Sequence, residues 1–232
     1  ASILAVPAAP YVPQAELAAP APRDGDAFGA SISASADGNL VAVASALSSR
    51  EAGPRGEITI YARDGWDWDV EAVLTPPPAD PAGLYFGQPL ALSGDGSTLA
   101  VLAAPVETAD PLVLYVYSRD DAGWTLRQET VVTTEREWFL ALAISGDGRV
   151  VAVGQAQAGD GTHPESGAIH VYERSGDAWP EAARLVAPSP VPYGLVGRAL
   201  ALSADGRTLA AAAANGPRGE DGWRGVYFFE ES

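Results

Sequence analysis

The sequence predicts an all-β fold made of four equivalent modules, and three observations predict it. A Ser-x-Asp-Gly turn recurs at Asp37, Asp95, Asp147 and Asp205, each nine residues after a large apolar residue: Phe28, Phe86, Trp138 or Val196. Each turn runs into a small apolar segment and then into a β-branched, aromatic one. No stretch carries a 3.6-residue apolar period, and 19 prolines are too many for long helices. The Asp-to-Asp steps are 58, 52 and 58 residues, a period that marks one supersecondary unit per repeat.

Each unit reads as four short strands. The first leads into the Asp-Gly turn, where glycine supplies the positive φ a tight hairpin needs. The second follows at once (Leu40 to Val43, Leu99 to Leu102, Val150 to Val153, Leu209 to Ala212), and such continuous apolar runs suit strands buried on both faces. The third is Ile58 to Tyr61, Leu114 to Tyr117, Ile169 to Tyr172, or Val226 to Phe229. The fourth opens on Trp68, Trp124 or Trp179, each seven residues after the tyrosine of the third.

The fourth unit ends before its last strand, and the N-terminus supplies a match. Ala15 to Pro20 aligns with Ala183 to Pro188, and Tyr11 falls where Trp179 falls. The fold expected is a single domain, a four-bladed β-propeller of four-stranded antiparallel blades closed by an N-terminal strand. Its blades span about 28–77, 86–133, 138–188, and 196–232 completed by 11–20, with 1–10 as an extension. Sharing a sheet between the two ends removes two exposed edges. The same repeat also allows two chains to form one eight-bladed ring.

Composition removes whole classes of chemistry. The chain has 232 residues, no cysteine and no methionine, and all 14 basic residues are arginine, so lysine is absent too. Disulfide scaffolds, thiolate metal sites, Schiff-base enzymes and P-loop enzymes are excluded. A net charge of −16 repels polyanions, so no nucleic-acid partner is expected. No apolar run approaches the ~20 residues of a membrane span, and no signal-peptide pattern is present.

The order Phe-Gly (Phe28-Gly29, Phe86-Gly87), apolar strand, Ser-x-Asp-Gly, Leu-Ala-Val, Leu114-Tyr115-Val116-Tyr117 and a polar turn into tryptophan resembles the FG-GAP repeats of integrin α-subunit propellers and their bacterial relatives. The resemblance covers nearly all of 11–232. It implies a secreted, periplasmic or cell-surface protein. It would also imply calcium in the turns, but hard cations need several carboxylates. The position four before each turn Asp is Ser33, Ala91, Ala143 or Ala201, which leaves one carboxylate per loop. No metal and no cofactor are therefore expected, and Asp37, Asp95, Asp147 and Asp205 read as turn residues.

Candidate binding residues are those the repeat does not explain. Trp66 has no counterpart in other blades. Trp223 lies with Arg218 and Arg224 in a long polar loop, the kind of segment where binding residues concentrate. His163 shares a loop with Asp160 and Glu165, a thin ligand set for a metal, and His170 reads as a half-exposed strand residue. The strand-opening tryptophans and Tyr11 read as blade-interface packing. No Gly-x-Ser-x-Gly elbow is present, and the serines near Asp recur four times, which marks them as architecture. The expected function is a non-catalytic interaction or assembly module that takes a protein partner, with homo-oligomers allowed. The alternatives are a glycan-binding lectin and a glycoside hydrolase or lyase on the same scaffold.

Overall fold

The computed structural model describes residues 13–47, 56–77, 84–105, 111–134, 140–214 and 225–231. Fifteen strands and no helix fill the described residues. Blade 1 holds β1 (Phe28–Ala34), β2 (Leu40–Ser45), β3 (Glu57–Asp64) and β4 (Asp67–Leu74); blade 2 holds β5 (Leu84–Leu92), β6 (Thr98–Pro105), β7 (Leu112–Asp120) and β8 (Gly123–Thr133). Blade 3 holds β9 (Leu140–Ile144), β10 (Val150–Gln155), β11 (Ala168–Glu173) and β12 (Glu181–Leu185); blade 4 holds β13 (Leu200–Leu202), β14 (Thr208–Ala213) and β15 (Gly225–Glu230). Each sheet is an antiparallel meander in chain order.

The register is the same in every blade. Ala44 opposes Ile58, Leu102 opposes Leu114, Gly154 opposes Ile169, and Ala212 opposes Val226. The Ser-Asp-Gly turns fix it. In each, the serine hydroxyl donates to the Asp carboxylate at 2.6–2.7 Å and accepts the backbone N–H five residues on at 2.9–3.0 Å. The Asp also accepts a backbone N–H two residues on, so both side chains stay within their own turn, as a turn reading requires. The Ser35 hydroxyl and the Asn39 N–H hold Asp37 below the usual carboxylate range.

Apolar cores lie between blades rather than within them. The forward face of each blade packs on the rear face of the next. Leu40, Ile58 and Ile60 meet Phe86, Leu90 and Tyr115; Leu102, Leu114 and Val116 meet Val151, Val153 and Tyr172; Ala152 and Ile169 meet Val196, Leu209 and Ala211. Backbone hydrogen bonds link successive turns, from Ala36 N to Gly94 O, Asp95 N to Gly146 O and Gly146 N to Ala204 O, at 2.8–2.9 Å. Glycine is required where these turns stack. A Cβ on Gly96 would meet Leu40, one on Gly148 would meet Thr98, and one on Gly206 would meet Val150.

The four blades follow the repeat, but the closing strand does not form as expected. The fourth sheet has three strands among the described residues. Residues 13–19 form no strand and lie against blade 1 instead. The Tyr61 hydroxyl donates to Ala18 O at 2.7 Å, and an Arg63 guanidinium N–H donates to Gln14 Oε1 at 3.2 Å. The internal match was real, yet Ala19 is buried in the way its counterpart Ala187 is buried between blades 3 and 4. The segment thus takes the place of a last strand from a preceding blade. Inner strands β1, β5, β9 and β13 pack in succession, and no comparable packing joins β13 back to β1 among the described residues.

Candidate functional site

Two of the strand-opening tryptophans, Trp124 and Trp179, act as wedges at the outer blade junctions. Trp179 is fully buried; its indole N–H donates to Gly148 O at 3.0 Å, and Arg174 lies 5.1 Å over the ring. Trp124 donates to Glu71 of blade 1 at 2.8 Å, beside a bidentate pair of Arg119 with the same carboxylate at 2.7 and 2.6 Å. Burial works against the Glu71 charge, but the bonds from Arg119 and Trp124 outweigh it and hold the carboxyl below its usual range. Glu71 was not singled out in the sequence. The hint was an arginine at the end of three of the four third strands: Arg63, Arg119 and Arg174, with Glu231 in the fourth.

Blade 4 has no described fourth strand and hence no wedge. A cleft of about 820 Å³ opens at that junction. Its floor includes Ala183, Leu185 and Phe229, and Gly206 lies where Gly148 lies in the junction that Trp179 fills. Glu173, Asp205, Glu230 and Glu231 stand at its rim; Arg149 pairs with Glu173 at 3.3 Å and Arg207 with Glu231 at 3.7 Å. Hydrogen bonds from Ser203 and the Arg207 N–H keep Asp205 low, so the rim stays acidic near neutrality.

The opposite face of β15 forms an open end of the stack among the described residues. Val226 and Phe228 are 50% and 69% exposed, while their register equivalents Ile58, Ile60, Leu114, Val116 and Ile169 are fully buried. The outer edge of β15 carries no partner strand among the described residues. At the other end, Ile32 of β1 is 61% exposed where its equivalent Leu90 is buried.

The residues picked from sequence do not converge on this end. Trp66 sits in the β3–β4 turn, 74% exposed, with the Arg63 guanidinium 5.6 Å over its ring. His163 is tied to Asp160, whose Oδ2 lies 2.8 Å from Nδ1; that bond and two backbone N–H donors pull the Asp160 carboxyl down to about 2. Glu165 takes a left-handed backbone in the same loop. Trp223, Arg218, Arg224 and Tyr11 lie outside the described residues, as do 1–10. His170 is a correction: it is buried, not half-exposed, because Glu181 and Gln155 close over it at 2.9 and 3.0 Å from its two ring nitrogens. Pairing partners across a strand are invisible in a single sequence.

No protein-family model matches the sequence, and no curated protein does. Solved structures do. The β-propeller domain of Myceliophteria thermophila Cps50 (Swd1) is 14% identical over 87% of this chain and 50% of its own, with a TM-score of 0.53. A structure from a study of two prolyl endopeptidases is 14% identical over 86% of this chain and 27% of its own, with a TM-score of 0.52. The chain thus spans about half the length of the Cps50 domain. The fold is a β-propeller.

Proposed function

We propose that this protein is a non-catalytic interaction module that binds an extended protein segment at the open end of its blade stack. One observation carries the reading: β15 offers an edge unpaired among the described residues, beside Val226 and Phe228, which are exposed where Ile58, Ile60, Leu114, Val116 and Ile169 are buried and Val171 is half-buried. An extended segment adds to such an edge by main-chain hydrogen bonds, and alternate side chains enter the adjoining pockets. The cleft supplies an aromatic-sized pocket, and its acidic rim favours neutral or basic segments. The FG-GAP kinship and an exported setting belong to the same reading. Phe86-Gly87 supports the kinship, since Gly87 lets β5 close on Ala44 and Ile58 of the preceding blade.

The test uses a synthetic peptide of residues 178–188, which forms the fourth-strand segment in blade 3. At protein concentrations where the chain is monomeric, it should bind the full chain by calorimetry and slow amide exchange in β15, and Phe228→Asp should abolish both effects. Binding that survives Phe228→Asp, or no binding at all, would sink the proposal. A glycan reading keeps one supporting observation, exposed Trp66; a glycan array on wild type and Trp66→Ala tests it.

A further inference from the structure

The three junctions inside the stack use one repeated set of parts, and among the described residues both halves of a fourth junction lie largely uncovered. On the rear of blade 1, a Cβ on Gly38 or Gly29 would meet nothing within 4 Å, whereas Gly96, Gly148 and Gly206 each face the start of the preceding blade's second strand, and Gly87 and Gly197 face its strands. Ile32 is exposed beside them. On the front of blade 4, Thr208 stands where Leu40, Thr98 and Val150 meet those glycines, and Val226 and Phe228 stand in the places of residues that are buried in blades 1 and 2 and buried (Ile169) or half-buried (Val171) in blade 3. The N-terminal segment already occupies the seat of a fourth strand from a preceding blade. Gln14 accepts from Arg63 much as Glu71 accepts from Arg119.

We propose that two copies of this chain join head to tail about a two-fold axis into one eight-bladed ring, each copy lending residues 13–20 to the other as the fourth strand beside β15. This rests on the reading of β15 as a binding edge and names its occupant. In blade 3, Leu185 opposes Ile169, Arg184 opposes His170 and Ala183 opposes Val171. The matching register sets Leu17 of one copy against Val226 of the other, Glu16 against Tyr227, and Ala15 against Phe228. A second copy fits better than an unrelated partner because the segment that matches the β15 edge is in the chain itself. Blades in propellers number about four to eight, which admits the ring. Ile32, Gly29, Gly38, Val226 and Phe228 carry no charge, and the lent segment brings one acidic residue, Glu16, so the pairing should tighten as salt screens it from Glu230 and Glu231.

The absence of cysteine makes a clean test. Full-length Leu17→Cys and Val226→Cys proteins, mixed and oxidised, should give a disulfide-linked pair that neither gives alone. Wild type should sediment at twice the mass of one chain, and Phe228→Asp should halve that mass with an unchanged β-type circular dichroism spectrum. A wild-type monomer overturns the proposal. If that monomer still binds the 178–188 peptide at β15, the edge reading stands and only the second copy falls. An intrachain disulfide in the Leu17→Cys/Val226→Cys double variant, at monomer mass, means the chain closes on itself. An open series of larger species, or a dimer without the mixed disulfide, also refutes the ring.

Discussion

Blades 2 and 4 share a repeat and a register but not a fate. In blade 2 the third strand, Leu112–Asp120, is buried from Leu112 to Ser118, with a neighbour on each face. In blade 4 the third strand, Gly225–Glu230, alternates half-buried and exposed, because only its rear face meets another blade. The same sequence pattern thus yields a core strand or a surface strand according to what stands beside it. Burial in this fold is a property of the junction, not of the strand.

The comparison breaks first at the wedges. Trp179→Ala, at a filled junction, should lower unfolding free energy by about 3–5 kcal/mol, while Trp66→Ala in the solvent should leave it nearly unchanged; urea denaturation of both variants checks this. Next come the register equivalents. Leu114→Ala should cost about 2–5 kcal/mol, and Val226→Ala well under that at protein concentrations where the chain is monomeric. Equal losses at the two sites would show blade 4 to be covered. Glycine offers a narrower probe. Gly148 and Gly38 share a left-handed backbone, but a Cβ clashes with Thr98 only at the first. Gly148→Ala should therefore lower Tm more than Gly38→Ala, the difference reporting the stacked turn alone.

The smallest effect lies with acid. Asp160 is held at about 2 in the fold against an ordinary value of 3.8. As pH falls the unfolded chain takes up this proton first. Its stabilisation is complete above that ordinary value and lost as pH falls through the folded one. Asp160→Asn should flatten that part of the Tm–pH curve slightly, and Asp37 and Asp205 act with the same sign.

Much of this was legible in the residues. The Ser-Asp-Gly turns, the order of strands and the interface role of Trp124 and Trp179 follow from local chemistry repeated four times. Repetition separates architecture from accident. The site was less legible. Glu71, Glu181 and Gln155 matter through partners on other strands or blades, and no local pattern encodes such pairings. The match of 15–20 to 183–188 was readable, but the side of the missing junction it occupies was not. A fourth strand touches its own blade through its edge and the next blade through its face, and sequence alone weighs these contacts equally.

By itself, then, the sequence determined the repeat, the turn chemistry and the strand register, because each depends on residues a few positions apart. Tertiary structure decided which faces are covered, where the wedge is missing and which end of the stack stays open. Those depend on how far each blade rotates from the last, a quantity summed over every junction and written in no single one of them.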